Sequence, residues 1–98
     1  MFVRIWRYTV HALQASRFEQ VYGSNGDWAK LFGRDHGYLG TELLEGEPGD
    51  YVTIDRWNGE SDWRRFMEHQ GDAYRALDLE CEGLTSEESE IGDFTLSG

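Results

Sequence analysis

The stretch over residues 49–67 constrains the fold most, because it combines the patterns of a strand, a turn and a helix. Residues 50–57 alternate so that successive side chains face opposite ways, which is typical of a half-buried strand. Asn58 and Gly59 end that strand. The acidic and polar residues at 60–62 suit the N-terminus of a helix. We therefore expect the core and any pocket to be built around this segment.

The remaining sequence adds three strand patterns and a second helical region. We predict strands over residues 2–10, 38–45 and 91–96, helical pieces over 16–22 and 28–32, and a long helix over 61–82. The turn at 46–49 is short enough to make its two flanking strands an antiparallel hairpin. The segment 85–90 is acidic and is predicted as a loop.

Two local signals refine the helices. Ser16 and Glu19 have the spacing of a capping box, which predicts the start of the first helix. Gly71 interrupts the apolar stripe of the long helix at a cost of about 1 kcal/mol relative to Ala. We therefore expect a kink or a break between residues 69 and 72.

The predicted order of elements is β-α-β-β-α-β over a single domain, residues 1–98. This is the ferredoxin-like α+β arrangement, an antiparallel sheet with both helical regions on one face. The other face of the sheet is then bare, although apolar side chains occupy it. The simplest cover is a second copy, giving a homodimer that packs sheet against sheet, a dimeric α/β barrel.

The formal net charge of −10 excludes some classes of partner. Nucleic acid and anionic membrane surfaces both require a basic protein surface. The acidic residues concentrate after Arg75, beyond which no Lys or Arg occurs. They lack calcium-type spacing, and the three histidines lack ligand spacing, so we expect no metal site.

Cys81 is the single cysteine, so no intrachain disulfide can form. This favours a reducing compartment. No stretch of 18 apolar residues occurs, which predicts no membrane-spanning helix. The chain starts directly in a strand pattern without a basic and then apolar leader, so we expect a cytoplasmic protein.

Three segments carry a resemblance to a known family: GYLGTELL (37–44), YVTIDRW (51–57) and WRRFMEHQGDAYRAL (63–77). Together with the order of elements, they resemble the antibiotic biosynthesis monooxygenase family over residues 2–96. The resemblance implies a dimeric barrel with a pocket between sheet and helices in each subunit. Some members oxidise polycyclic phenols to quinones with O₂ and no cofactor, some bind and degrade haem, and many have no known activity.

The resemblance to the quinone-forming branch is partial at the site. Trp57 matches that branch's Trp, while Thr53 stands where Asn is expected and Trp63 where Tyr is expected. Arg75 is a near match for the Arg on the second helix.

The resemblance to the haem-degrading branch is weaker still. Trp6 replaces the Asn of its first strand, Phe66 takes the Trp position, and an acid near Asp78 takes the His position. His69 lies one or two turns too early on the helix. The chain is therefore expected to bind no cofactor, with haem as an alternative.

Eight residues are candidates for a site that holds a small apolar or aromatic molecule. A histidine could abstract a phenol proton, and aromatic rings could stack on the substrate. The predicted catalytic residues are His69, Trp57 and Tyr74, and the predicted substrate-binding residues are Trp63, Phe66, Thr53, His36 and Trp28. The aromatic members could equally be core residues, and His36 a turn residue.

The leading functional hypothesis is a cofactor-independent monooxygenase acting on a small aromatic or polycyclic phenol. A non-catalytic ligand-binding or accessory protein is the first alternative, and a haem-degrading monooxygenase is the second.

Overall fold

A four-stranded antiparallel sheet carries a helical layer on one face in the computed structural model, which describes all 98 residues. The elements are β1 (Phe2–Thr9), α1 (Ala15–Tyr22), α2 (Asp27–Phe32), β2 (Tyr38–Glu45), β3 (Asp50–Trp57), α3 (Glu60–Glu80) and β4 (Glu87–Thr95). The strand order is β2-β3-β1-β4, with every neighbouring pair antiparallel. The predicted ferredoxin-like α+β fold is confirmed.

The two central strands place their inward side chains side by side. β1 and β3 pair without a register shift from Phe2 opposite Trp57 to Thr9 opposite Asp50. Because side chains alternate, Phe2 and Trp57 both face the helices, as do Tyr8 and its partner Tyr51. All four are buried, with Trp57 0% exposed and Tyr51 1% exposed. This face is the floor of the core.

Aromatic rings fill most of the space between sheet and helices. Phe32 on α2 lies 5.5 Å from Trp57 and 5.3 Å from Phe66, both measured between ring centroids and both edge-to-face. On the other side of the core, Phe18 of α1 stacks on Tyr22 at 4.2 Å. Edge-to-face and offset-stacked pairs add about 0.5–1.5 kcal/mol each beyond the area they bury. The helical layer is therefore fixed to the sheet mainly by rings.

A bulge in β2 changes which of its side chains point inward. The β2–β3 register shifts between Tyr38 and Gly40, and Gly40 has a φ of 132°, which favours glycine. Tyr38 and Thr41 consequently share the inward face, and their hydroxyls are hydrogen bonded at 2.6 Å. Strict alternation would place these two residues on opposite faces, and the extra residue of the bulge removes that difference.

The last strand begins earlier than its sequence indicates. Residues 87–90 were predicted as loop, yet they pair with β1, with Glu88 opposite Tyr8. Arg4 on β1 holds the strand by ion pairs with Asp93 and Glu90. Glutamate is a poor strand former, but the backbone hydrogen bonds to β1 and these ion pairs outweigh its low preference for the strand conformation.

The predicted capping box of the first helix does not form. Gln14 precedes α1 without a side-chain cap, and a short 3₁₀ turn over Ala12–Gln14 leads into the helix. The Glu19 carboxylate instead accepts a hydrogen bond from the Tyr51 hydroxyl on β3. A tertiary contact has replaced the local one.

The predicted break in the long helix is also wrong. α3 runs without interruption through Gly71, which is buried. Packing along the helix outweighs the propensity cost of one glycine, about 1 kcal/mol. The helix ends at Glu80 rather than at residue 82, and Cys81 is its C-cap.

The opposite face of the sheet has no cover within the chain. Leu44 and Phe94 on this face are each 48% exposed, and Ile5 and Ile54 are partly exposed. An ion pair between Arg7 and Asp50 and another between Arg56 and Glu42 flank the apolar strip. This is the face that the sequence predicts to meet a second copy, and the pairing stays a prediction.

None of the helices combines the length and the apolar character needed to cross a bilayer.

Candidate functional site

A cavity of about 130 Å³ lies between the sheet and the helices. Its lining residues are Arg4, Trp6, Tyr8, Tyr22, Trp28, Phe32, Thr41, Thr53, Asp55, Tyr74, Asp78 and Glu88. An apolar cavity of roughly 150 Å³ can hold benzene. The space therefore suits one aromatic ring, with any larger part of a ligand reaching toward the mouth.

Asp55 on β3 brings a carboxylate into this cavity. Its Oδ1 accepts a hydrogen bond of 2.7 Å from the Thr41 hydroxyl on the neighbouring strand, and its Oδ2 has no hydrogen-bond partner. Burial raises the pKa of Asp55 to about 6, although the Thr41 hydrogen bond and the charge of Arg4 oppose the rise. A carboxylate with this pKa is ionised at neutral pH and is a better proton acceptor than an ordinary Asp.

Arg4 supplies the only positive charge of the lining. Its guanidinium lies 3.9 Å from the ring centroid of Trp63 and pairs with Asp93 at 3.0 Å and Glu90 at 3.8 Å. The side chain is only 13% exposed, so its charge acts in a poorly solvated region. Arg4 also counteracts the burial that raises the pKa of Tyr74. It therefore stabilises negative charge inside the cavity.

Hydroxyl groups line the side of the cavity next to β1 and β3. The Tyr8 and Thr53 hydroxyls share a hydrogen bond of 3.0 Å. Burial raises the pKa of Tyr8 well above its ordinary value, and burial likewise raises the pKa of Tyr74. Both phenols stay protonated at neutral pH, so neither is the base of this site.

Three of the eight predicted site residues line the cavity. Thr53 comes from the centre of β3, Trp28 from α2 and Tyr74 from the second half of α3. The Trp28 and Tyr74 rings meet edge-to-face at 4.9 Å.

Three others form a layer of rings beside the cavity rather than its wall. Trp57 and Phe66 are both 0% exposed, and Trp63 packs on them at 5.4 Å and 5.7 Å. Of these three, only Trp63 contacts a lining charge, through Arg4. Trp57 thus occupies the position of a core residue at the end of β3.

The two predicted histidines lie on the surface. His69 is exposed on α3 and His36 is exposed in the turn before β2, where its Nε2 lies 3.3 Å from Arg65 Nη2. Neither lines the cavity. The α3 helix has no kink near His69 that would turn this side chain inward, so its position gives no support to the predicted role as a base.

Asp55 and Arg4 are charged cavity residues that are absent from the eight predicted site residues. Alternation had placed Asp55 on the same face as Tyr51 and Trp57, both of which are buried. A carboxylate in a run of inward-facing apolar residues is the signal that could have found it.

Comparison with known proteins identifies relatives by structure. No family model and no curated protein matches the sequence. A variant of SnoaB, a cofactor-independent oxygenase from Streptomyces nogalater, shares 27% identity over 99% of this chain and 93% of its own, with a TM-score of 0.74. A proposed antibiotic biosynthesis monooxygenase from Deinococcus radiodurans has the same TM-score at 14% identity, covering 100% of this chain and 94% of its own. The monooxygenase of ActVA-Orf6 from Streptomyces coelicolor, in complex with nanaomycin D, has a TM-score of 0.70 at 18% identity. The match covers 99% of this chain and 88% of its own.

The fold and the cavity define a ferredoxin-like α+β domain with a ring-lined chamber between its sheet and its helices. Structural neighbours of this chain are antibiotic biosynthesis monooxygenases, and the likeness supports that family.

A protein with a bound porphyrin has the same fold. A variant of MhuD with two manganese protoporphyrin IX molecules bound per active site matches at a TM-score of 0.66 and 17% identity, over 98% of this chain and 94% of its own. At this identity the likeness concerns the fold alone.

Proposed function

We propose that this chain is a monooxygenase that oxidises a small phenolic molecule in the cavity without a bound cofactor. The observation that carries the proposal is the Asp55 carboxylate, whose pKa is raised to about 6 by burial and whose Oδ2 has no hydrogen-bond partner. The likeness to SnoaB supports the class of reaction.

The chemistry begins with proton transfer. Asp55 accepts the proton of the bound phenol, and the negative charge moves from the carboxylate to the substrate. Arg4 lines the same cavity and stabilises the resulting phenolate. Such an electron-rich ring can pass electrons to O₂ directly.

The oxidation needs no further reductant. In a substrate whose reacting carbon is a CH₂ group, O₂ takes four electrons from that carbon. One oxygen atom becomes the new carbonyl oxygen, and the other leaves as water with the two hydrogens. Trp28, Phe32 and Tyr74 line the chamber with rings, which hold an aromatic substrate and limit access of water to the phenolate.

The cavity fits haem poorly. Protein ligands of haem iron include His, Cys, Met and Tyr side chains. The lining contains no His, Cys or Met, and burial holds the phenol of Tyr8 in its protonated form. The volume of about 130 Å³ is also below the roughly 300–1,000 Å³ of pockets for drug-sized ligands. A haem titration that yields no Soret shift is the expected result.

Oxygen consumption with a panel of anthrones and quinols tests the proposal. Asp55→Asn keeps the size of the side chain and the acceptor for Thr41 but removes the base. It should lower kcat by about 10²–10⁴-fold, the usual contribution of a general base. In the wild type, kcat/KM should rise with pH up to about 6, the pKa of Asp55, and then level off.

His69→Ala is the matched control, because His69 is exposed and outside the cavity. It should keep the wild-type rate. Turnover that survives in Asp55→Asn and disappears in His69→Ala would contradict the proposal.

A non-catalytic ligand-binding module is the second candidate function. One observation favours it: Thr53 stands where the quinone-forming relatives are expected to carry Asn, and the Thr53 hydroxyl is already bonded to Tyr8. This alternative predicts that phenolic ligands raise the melting temperature of the protein while no product forms and no O₂ is consumed.

We also propose that the protein works as a homodimer in the cytoplasm. The uncovered apolar strip of the sheet supports the dimer, and the free, buried Cys81 is compatible with a reducing compartment.

A further inference from the structure

The mouth of the cavity carries two carboxylates from different elements. Asp78 comes from the last turns of α3 and Glu88 from the start of β4, and both are exposed lining residues. With Asp55 inside, three acidic groups border a space that is suited to one ring.

No basic side chain in the lining is free to neutralise the charges of Asp78 and Glu88 at the mouth. Arg4 is the only Lys or Arg among the twelve lining residues, and it already pairs with Asp93 and Glu90 on β4. Its charge also offsets Asp55 within the cavity. Asp78 and Glu88 have no basic partner within ion-pair distance. The chain as a whole adds to the negative field with its net charge of −10.

The field of these acids extends into the aromatic interior. The charge of Glu88 contributes to the raised pKa of Tyr8 and Tyr22, and the charge of Asp78 contributes to the raised pKa of Tyr74, in each case after the larger effect of burial. A ligand that brings further negative charge is therefore disfavoured at this site.

Rings and carboxylates together have the chemistry that recognises an organic cation. Ammonium groups are attracted by the faces of Trp, Tyr and Phe rings and by carboxylates. Six of the lining residues are aromatic: Trp6, Tyr8, Tyr22, Trp28, Phe32 and Tyr74. The free Oδ2 of Asp55 supplies a separate acceptor deeper in the cavity for a hydroxyl or ammonium proton.

We infer that the site selects an aromatic substrate that carries a protonated amine. The ring occupies the chamber near Asp55, and the ammonium group lies at the mouth, where it meets Asp78 and Glu88. The phenol part of this inference rests on the function proposed above, whereas the preference for a positive charge rests on the rings of the cavity and the carboxylates at its mouth.

Three probes of equal ring size test the preference: 4-(2-aminoethyl)phenol, 4-(2-hydroxyethyl)phenol and 4-hydroxyphenylacetate. They are a cation, a neutral molecule and an anion at neutral pH. Calorimetry at low ionic strength should give affinities in the order cation, neutral, anion. The cation should bind about fivefold more tightly than the neutral probe, since an exposed ion pair contributes up to about 1 kcal/mol. Added salt should reduce the difference, because both carboxylates are exposed.

Two substitutions test whether Asp78 and Glu88 cause the preference for the cation. Glu88→Gln keeps the oxygen that accepts from the Thr85 hydroxyl, and Asp78→Asn changes an exposed side chain, so both should fold. The double variant should lose most of the cation's advantage in affinity over the neutral probe. Glu47→Gln is the matched control, because it removes one exposed charge at the β2–β3 turn, outside the cavity lining. The Glu47→Gln variant should bind the three probes with the wild-type order of affinities.

Equal affinity for the three probes, tightest binding of the anion, or no binding of any probe would overturn the inference. So would an undiminished preference for the cation in the double variant. These measurements require no turnover, so they separate this inference from the proposed oxygenase activity, which oxygen consumption tests independently.

Discussion

Asp55 shows at the scale of one residue how function and stability oppose each other. The fold places its carboxyl where burial disfavours the charged form, and only Thr41 donates a hydrogen bond to it. A protein under selection for stability alone would carry an apolar or amide group here. The carboxylate is therefore best understood through the chemistry of the cavity.

Asp55→Asn should stabilise the protein above about pH 6. The folded-state pKa of Asp55, about 6, exceeds its ordinary value of 3.8, so the folded protein binds more protons between these pH values. Stability then falls as pH rises through that window, and the wild type loses about 3 kcal/mol that the Asn variant retains. Urea unfolding should show equal stability of the two proteins near pH 4 and a more stable variant at pH 8.

The exposed Glu47 is the control for that measurement. Glu47→Gln should follow the wild-type pH dependence. A wild type that exceeds Asp55→Asn in stability at pH 8 would contradict the raised pKa.

Residue types alone predicted only part of the site. Thr53, Trp28 and Tyr74 could be predicted because each lies on an inward-facing position of a regular element. His69 was favoured because histidine is a common general base, but a base must also line the cavity, and the burial that decides this depends on tertiary structure. Asp55 acquires its proton affinity from tertiary surroundings.

At the scale of the element, the glycines of the helical layer have opposite roles. A Cβ at Gly71 in α3 would meet only the flexible end of Arg75, at 3.3 Å. A Cβ at Gly26, just before α2, would lie 2.4 Å from the carbonyl oxygens of Gln20 and Val21. The first glycine is dispensable and the second is required by the backbone.

Gly71→Ala should accordingly raise the free energy of unfolding by about 0.5–1 kcal/mol, the difference in helix propensity. Gly26→Ala should lower it, because α1 and α2 must move apart to admit the methyl group. Thermal unfolding of the two variants beside the wild type measures both effects, and a destabilised Gly71→Ala protein would refute the account of α3.

Elements with a strong local pattern could be predicted well, and those held by distant partners could not. The bounds of β2 and β3 are confirmed because alternation and turn residues define them locally. β4 begins at Glu87 because β1 pairs with it, and the bulge at Gly40 depends on register with β3. Both are properties of strand pairs rather than of one segment.

At the scale of the whole molecule, the uncovered sheet face should determine the oligomeric state. Ile54→Lys places a charge in the middle of the apolar strip and should convert a dimer, with twice the chain mass of 11.3 kDa, into a monomer. Leu13→Lys is the control, because Leu13 is 86% exposed and lies outside the sheet. Light scattering at micromolar concentration measures both. A wild type that is already monomeric would contradict the proposed dimer.

The ring layer beside the cavity gives the molecule an optical property of its own. Trp57 and Trp63 are held 5.4 Å apart at 66° to each other, and Trp57 lies 5.2 Å from Tyr38. Electronic transitions of chromophores fixed this closely and at such angles couple, so the folded state should have an intense near-ultraviolet circular dichroism spectrum. That signal disappears when the rings separate, which makes the protein its own reporter of tertiary order, without any added dye.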